Sequence, residues 1–164
     1  MTVTRLVDTN ILVYRFDPRD PFKQHVAERI LEKGLNAGDL VLPHQAIIEF
    51  VAAITRPRPD LGGQPLLSYA DALQEAENLL DLFSVRYPDE SILRTAMRGM
   101  AAYRLSWFDA HLWAYAEMSG AGEILSEDFE HGRRYGTVRV VDPFLVAANS
   151  VHELPPLYAD TTGV

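Results

Sequence analysis

The chain has 164 residues, is 48% hydrophobic, lacks cysteine and carries a formal net charge of -8. Its length and apolar content call for one globular domain with a core, and the missing cysteines exclude disulfides and thiolate metal sites, which fits a reducing cytoplasm. The charge argues against a protein that coats nucleic acid by charge alone, yet leaves open an enzyme that meets phosphates through bound cations. No run of about 18 apolar residues occurs, and the opening "MTVTRLVDTN" lacks the pattern of a signal peptide, so neither a membrane span nor a leader is expected.

Val3 to Val7 reads as a short buried strand with Asp8 at its carboxyl end. Thr9 or Asn10 can cap a helix over roughly Ile11 to Phe16, which "DPRDP" breaks. A second helix is expected from Pro21 to Lys33, with Gly34 as its stop. Asp39 to Pro43 is a strand candidate, followed by the helix "HQAIIEFVAAITR" and a Pro/Gly-rich loop over residues 57–67. Ser68 can cap a helix to Phe83, with Leu73, Ala76, Leu80 and Phe83 on one face. "SVRYP" is a short extended piece. Another amphipathic helix covers Asp89 to Tyr103 and carries Leu93, Met97 and Met100. A further helix starts near Ser106 and stops before Gly120. Glu123 to Ser126 and Thr137 to Val141 look like strands. Beyond Pro143 there is no clear periodicity, so a domain of residues 1–145 and a C-terminal tail of residues 146–164 are expected. Strands alternating with helices imply an α/β fold, a central mostly parallel β-sheet covered by α-helices. Such sheets bind ligands outside the carboxyl ends of their strands.

Four carboxylates stand in unusual places. Asp8 lies inside the apolar run "LVDTNILVY". A buried carboxylate without partners is costly, so Asp8 either caps a helix or sits where the core meets a site. Glu49 is the one polar residue of "AIIEFVAAI", at the edge of a helix face; it is an ion-pair partner or a ligand. Asp109 follows Ser106 in an S-x-x-D pattern, which a helix start explains by itself. "LSEDF" supplies Glu127 or Asp128 just past a strand. If these acids converge, they form an all-oxygen anionic cluster suited to a hard divalent cation, Mg²⁺ or Mn²⁺.

These segments, in this order and at these intervals, resemble the PIN-domain ribonucleases, and most of all the VapC-type toxins of bacterial toxin–antitoxin pairs. "LVDTNILVY" is similar to the family's opening strand with its first acid, Asp8. "AIIEFVAAI" resembles the helix with the second, Glu49. "LSWFDAHLWAYA" resembles the third segment, with Asp109, and "ILSEDFEHGRRYGTVRVVDPF" the closing one, with Asp128. The resemblance covers about Val3 to Phe144. It implies a PIN-like fold and a pocket in which Asp8, Glu49, Asp109 and Asp128 hold Mg²⁺ or Mn²⁺ and cleave RNA. It also implies that Thr9, Asn10 and Ser126 support the pocket. The fourth acid varies in the family, and Glu127 stands beside Asp128. Asp128 is favoured because it lies two residues after the Ser126 hydroxyl, and adjacent residues point apart, leaving one of the two solvent-facing. A small antitoxin protein and a second copy of the chain, as a homodimer, are the implied partners.

The chemistry suits the residues. Phosphodiester hydrolysis needs a nucleophilic water, neutralised phosphate charge and a stabilised leaving oxygen, all of which carboxylate-held metal ions supply. The chain has no G-x-S-x-G, Walker or H-E-x-x-H motif, and its five His residues lack zinc-site spacing. Arg133 and Arg134 in "HGRRYG" are either RNA contacts or a solvated turn, and Arg56 and Arg58 in "TRPRP" are open to the same two readings. Two rival functions stand beside the nuclease. A haloacid dehalogenase-type, metal-dependent phosphatase would need a second acid where Asn10 stands. A catalytically inactive PIN-like module that only binds a protein partner would have no need of all four acids.

Overall fold

A computed structural model describes residues 2–152. The first strand, β1 (Arg5–Val7), takes the middle of a six-stranded sheet. It pairs in parallel with β2 (Leu40–Pro43) on one side and β4 (Glu123–Leu125) on the other. β3 (Ser84–Arg86) extends the sheet beyond β2, and β6 (Val138–Val141) extends it beyond β4, both in parallel. Only β5 (Arg134–Tyr135) is antiparallel, folded back on β6 through Gly136 at φ 60°. The order is β3-β2-β1-β4-β6-β5. Strand order reverses between β1 and β4, and the carboxyl ends of these two neighbours form the natural crevice of such a sheet.

The core follows from strand alternation, which sends successive side chains to opposite faces. Leu6 and Ile124 belong to one buried cluster, and Val7 and Leu125 to the other. The first cluster is covered by α5 (Glu90–Tyr103) and α6 (Trp107–Ser119). The second is covered by α1 (Thr9–Tyr14), α2 (Pro21–Ala37), α3 (His44–Ile54), α4 (Tyr69–Leu82) and α7 (Pro143–His152). Arg5 ties the start of β1 to that of β2, its Nη2 lying 2.9 and 2.8 Å from the two Asp39 oxygens. No helix among the described residues is long and apolar enough to cross a membrane.

Four local expectations need correction. Gly34 does not stop α2, which runs on to Ala37. The stop is Gly38, in the left-handed region at φ 65°, whose N–H returns to Gly34 and Leu35 carbonyls. Gly34 instead gives room for β2: a Cβ there would meet Leu40 at 2.2 Å. In α4 the buried face is Ala72, Ala76 and Leu79, while Leu73 and Leu80 are exposed. In α5 the buried face is Ile92, Thr95, Ala96 and Gly99. Leu93, Met97 and Met100 lie outside, at 41%, 52% and 37% exposure. Both helices turn small residues inward because small faces let a neighbour come close; a Cβ on Gly99 would meet the Trp113 ring at 2.6 Å. Finally, α7 forms where no periodicity was visible, anchored by buried Phe144 and by the Asp142 carboxylate, which accepts from Phe144 and Leu145 N–H. Residues 153–164 of the expected tail lie outside the described residues.

The packing role of Gly34 is testable. Gly34→Ala should lower stability in urea melts by about 1–3 kcal/mol, the usual cost of overpacking a tight core contact. A variant as stable as wild type would show that Leu40 moves freely.

Candidate active site

The register Val7↔Leu125 makes the next residue of each strand a neighbour of the other. Those residues are Asp8 and Ser126. Asp8 N–H donates to the Leu125 carbonyl at 3.0 Å, and Ser126 Oγ donates to Asp8 Oδ2 at 2.6 Å. Ser126 is fully buried and Asp8 is 8% exposed. The other oxygen, Oδ1, accepts from the Thr9 backbone N–H at 2.6 Å, so Asp8 itself is the N-cap of α1, which starts at Thr9. Thr9 and Asn10, expected as caps, occupy the first turn instead. Their side chains are thereby free for other work.

Thr9 Oγ1 donates to Glu49 Oε2 at 2.9 Å. Gln45, one turn earlier on α3, donates to Glu49 Oε1 at 2.8 Å. Asn10 Nδ2 donates to Asp128 Oδ2 at 3.1 Å, and the Asp128 N–H donates to Ser126 Oγ at 3.0 Å. Asp8, Glu49 and Asp128 line one cleft of about 380 Å³ together with Thr9 and Asn10. Asp109 comes from the opposite helical layer. Its N–H donates to the capping Ser106 Oγ at 3.2 Å, but its carboxylate accepts no hydrogen bond among the described residues. The S-x-x-D pattern thus accounts for the backbone of Asp109 and leaves its charge unused, near enough to act on Asp128.

Glu127 points elsewhere, and not to solvent as expected for one of the pair. Lys23 Nζ donates to its Oε2 at 2.6 Å, and Tyr14 OH donates to Oε1. Lys23 also lies over the Tyr14 ring at 4.7 Å. Glu127 is therefore held between α1 and α2, while Asp128, the more exposed of the two, faces the cleft. Arg133 and Arg134 do not line the cleft. Arg133 pairs with Glu130 at 3.1 Å and stacks on Tyr135. The cations that do line it are Arg19 and Arg58. Gln45 had a local signal, four residues before Glu49 on one helix, and Arg58 had one in "TRPRP"; nothing local placed Lys23 or Arg19 here.

The carboxylates crowd one another. Burial pushes the Asp8 carboxyl up to about 6; the hydrogen bonds from Ser126 and Thr9 oppose this, and the charges of Asp128 and Glu49 add to it. Asp128 is also raised, by partial burial first, against its bond from Asn10 and with the charges of Glu127 and Asp109. Among the described residues no three His, Cys, Asp or Glu side chains converge closely enough to hold an ion as they stand. The donors nevertheless suit a hard divalent cation. They are all oxygen, the Asp109 carboxylate is unpartnered, and the buried Asn10 Oδ1 has no hydrogen-bond partner.

A folded-state pKa raised from 3.8 to about 6 means that Asp8 favours folding below pH 4 and loses that contribution as pH rises through 6. Asp8→Asn keeps a side-chain oxygen for the cap and removes the titration. In EDTA the two proteins should be equally stable near pH 4, and wild type should become the less stable by up to roughly 3 kcal/mol at pH 7. Melts across this range check it; a variant that melts well below wild type at pH 7 would make Asp8 chiefly a structural cap.

Comparison with protein families matches the PIN domain over residues 5–136. Comparison with curated proteins finds no match. Among solved structures, a toxin–antitoxin complex from Klebsiella pneumoniae superposes with a TM-score of 0.61 at 19% identity, covering 85% of this chain and 98% of that one. A DNA-bound VapBC from Salmonella typhimurium gives 0.62 at 14% identity, covering 87% and 99%. The sarcin–ricin-loop-cleaving toxin VapC20 of Mycobacterium tuberculosis gives 0.55 at 15% identity, covering 74% and 87%. At these identities the superpositions speak for the fold, and the family match covers most of the sequence, the first three of the four acids and the fourth alike. The chain belongs to the PIN domain family.

Proposed function

We propose that this chain is a divalent-metal-dependent endoribonuclease that acts as the toxin of a toxin–antitoxin pair. The observation that carries the reading is the cleft at the carboxyl ends of β1 and β4, where Asp8, Glu49 and Asp128 are each held by a separate polar neighbour. Asp8, Glu49, Asp109 and Asp128 would hold Mg²⁺ or Mn²⁺. When bound, such an ion lowers the pKa of a water and neutralises charge on the phosphate. The chain's own residues do the positioning. Ser126 orients Asp8, Thr9 and Gln45 orient Glu49, and Asn10 orients Asp128. Asn10 also argues against the phosphatase reading, since an amide donating to Asp128 stands where that reading wants an acid.

An antitoxin partner is supported by the neighbours solved as toxin–antitoxin complexes, and RNA as substrate by the neighbour described as cleaving the sarcin–ricin loop. A homodimer is supported by the large apolar side chains that α5 leaves outside, Leu93, Met97 and Met100, since exposed apolar patches mark contact surfaces. A cytoplasmic location fits these partners.

Expressed alone in a bacterium, the chain should arrest growth, and Asp8→Asn should not. Equal arrest by both would remove the nuclease as cause, and a purified chain that cleaves no RNA with Mn²⁺ would favour a binding module. The fourth acid has its own test. Glu127→Gln should keep most RNA cleavage, while Asp128→Asn should lose at least about tenfold, roughly 1.4 kcal/mol of barrier. The reverse order would hand the role to Glu127.

A further inference from the structure

The cleft has a basic wall as well as an acidic floor, and its two cations are not equivalent. Arg19 is spent: its Nε and Nη2 bond both oxygens of buried Asp17 at 2.8 and 2.6 Å, and its Nη1 pairs with Asp60. Arg58 is not. No carboxylate lies within ion-pair distance of it among the described residues. Its one side-chain bond is from Nη2 to the Ala53 carbonyl at 3.1 Å, and its buried Nε has no partner. Asp17 and Asp60 feel its charge, but both are already held by Arg19.

The Pro/Gly-rich loop explains how this arginine is aimed. Arg58 N–H donates to the Gln64 carbonyl at 3.1 Å, and Gly63 N–H returns to the Arg58 carbonyl at 2.9 Å. Between them Pro59–Leu61 forms a single 3₁₀ turn, and Gly62 and Gly63 take φ 64° and 80°, values that suit glycine. The turn pins the Arg58 backbone, and the Ala53 bond fixes one branch of the fork. A guanidinium held in this way binds a phosphate with little further loss of side-chain freedom.

We infer that Arg58 grips a backbone phosphate of the bound RNA within the cleft that Asp8, Glu49 and Asp128 line. This deepens the ribonuclease reading and rests on it. On a chain of net charge -8, an uncommitted cation beside an acid cluster is the feature that a polyanion can use. Arg58 is a substrate-binding residue, separate from the acids and from the Arg133 turn.

The test uses a short fluorescein-labelled single-stranded RNA, with anisotropy read in EDTA at several salt concentrations. Arg58→Gln keeps a donor for Ala53 and loses the charge. It should bind at least about fivefold more weakly, with the salt slope of log affinity reduced by about one. In Mn²⁺ its KM for the same RNA should rise while kcat stays near wild type. Arg58→Lys should recover part of the affinity, and Arg133→Gln should change neither affinity nor slope. An Arg58→Gln protein that binds and cleaves like wild type overturns the inference, as does an equal loss in Arg133→Gln or no recovery in Arg58→Lys. A wild-type chain that neither binds nor cleaves RNA overturns the ribonuclease reading itself.

Discussion

Asp8 is a carboxylate buried at the point where two central strands end, and the surroundings answer its need for partners one by one. The Thr9 N–H takes one oxygen and the Ser126 hydroxyl the other. That hydroxyl then accepts from the Asp128 N–H, so one buried serine sets the position of two acids at once. Thr9, freed from capping, holds Glu49; Asn10, one residue on, holds Asp128. The two residues that follow Asp8 thus hold two acids that arrive from elsewhere in the chain. The cost is burial first and like charges second, and both show in the raised carboxyls of Asp8 and Asp128.

Much of this was legible locally. An apolar run with an acid at its end gives a strand and a mouth, and Gly120 and Ser106 mark the bounds of α6 as their chemistry requires. The four acids stand out because each interrupts or borders an apolar stretch. What a sequence cannot give is convergence over 118 residues, which depends on β1 pairing with β4 rather than with another strand. It also cannot tell which of Glu127 and Asp128 turns inward. Lys23 and Tyr14 decide that, from helices more than 100 residues away in sequence.

The misread helix faces share one cause. Apolar periodicity weights large side chains, so it marks Leu93, Met97 and Met100 on α5, yet the helix packs through Ala96 and Gly99 against Trp113. Close approach is gained by small residues, and the large ones are left for a different surface. Gly34 follows the same logic. It looks like a stop signal and acts as clearance for Leu40.

The central position of β4 has a consequence for how the molecule is made. Ser126 and Asp128 follow that strand, and β4 can join β1 only after β1–β3 and α1–α6 have been made. A ribosome releases the amino-terminal strands, α1 and α3 first, carrying Asp8 and Glu49. These two acids alone are half a cleft, without the serine that orients one of them. A nascent or truncated chain ending before Ser126 cannot hold the Asp8–Ser126 bond. Strand order thereby delays assembly of the site until β4 and Ser126 have been made, so that a chain stopped before them lacks a finished cleft.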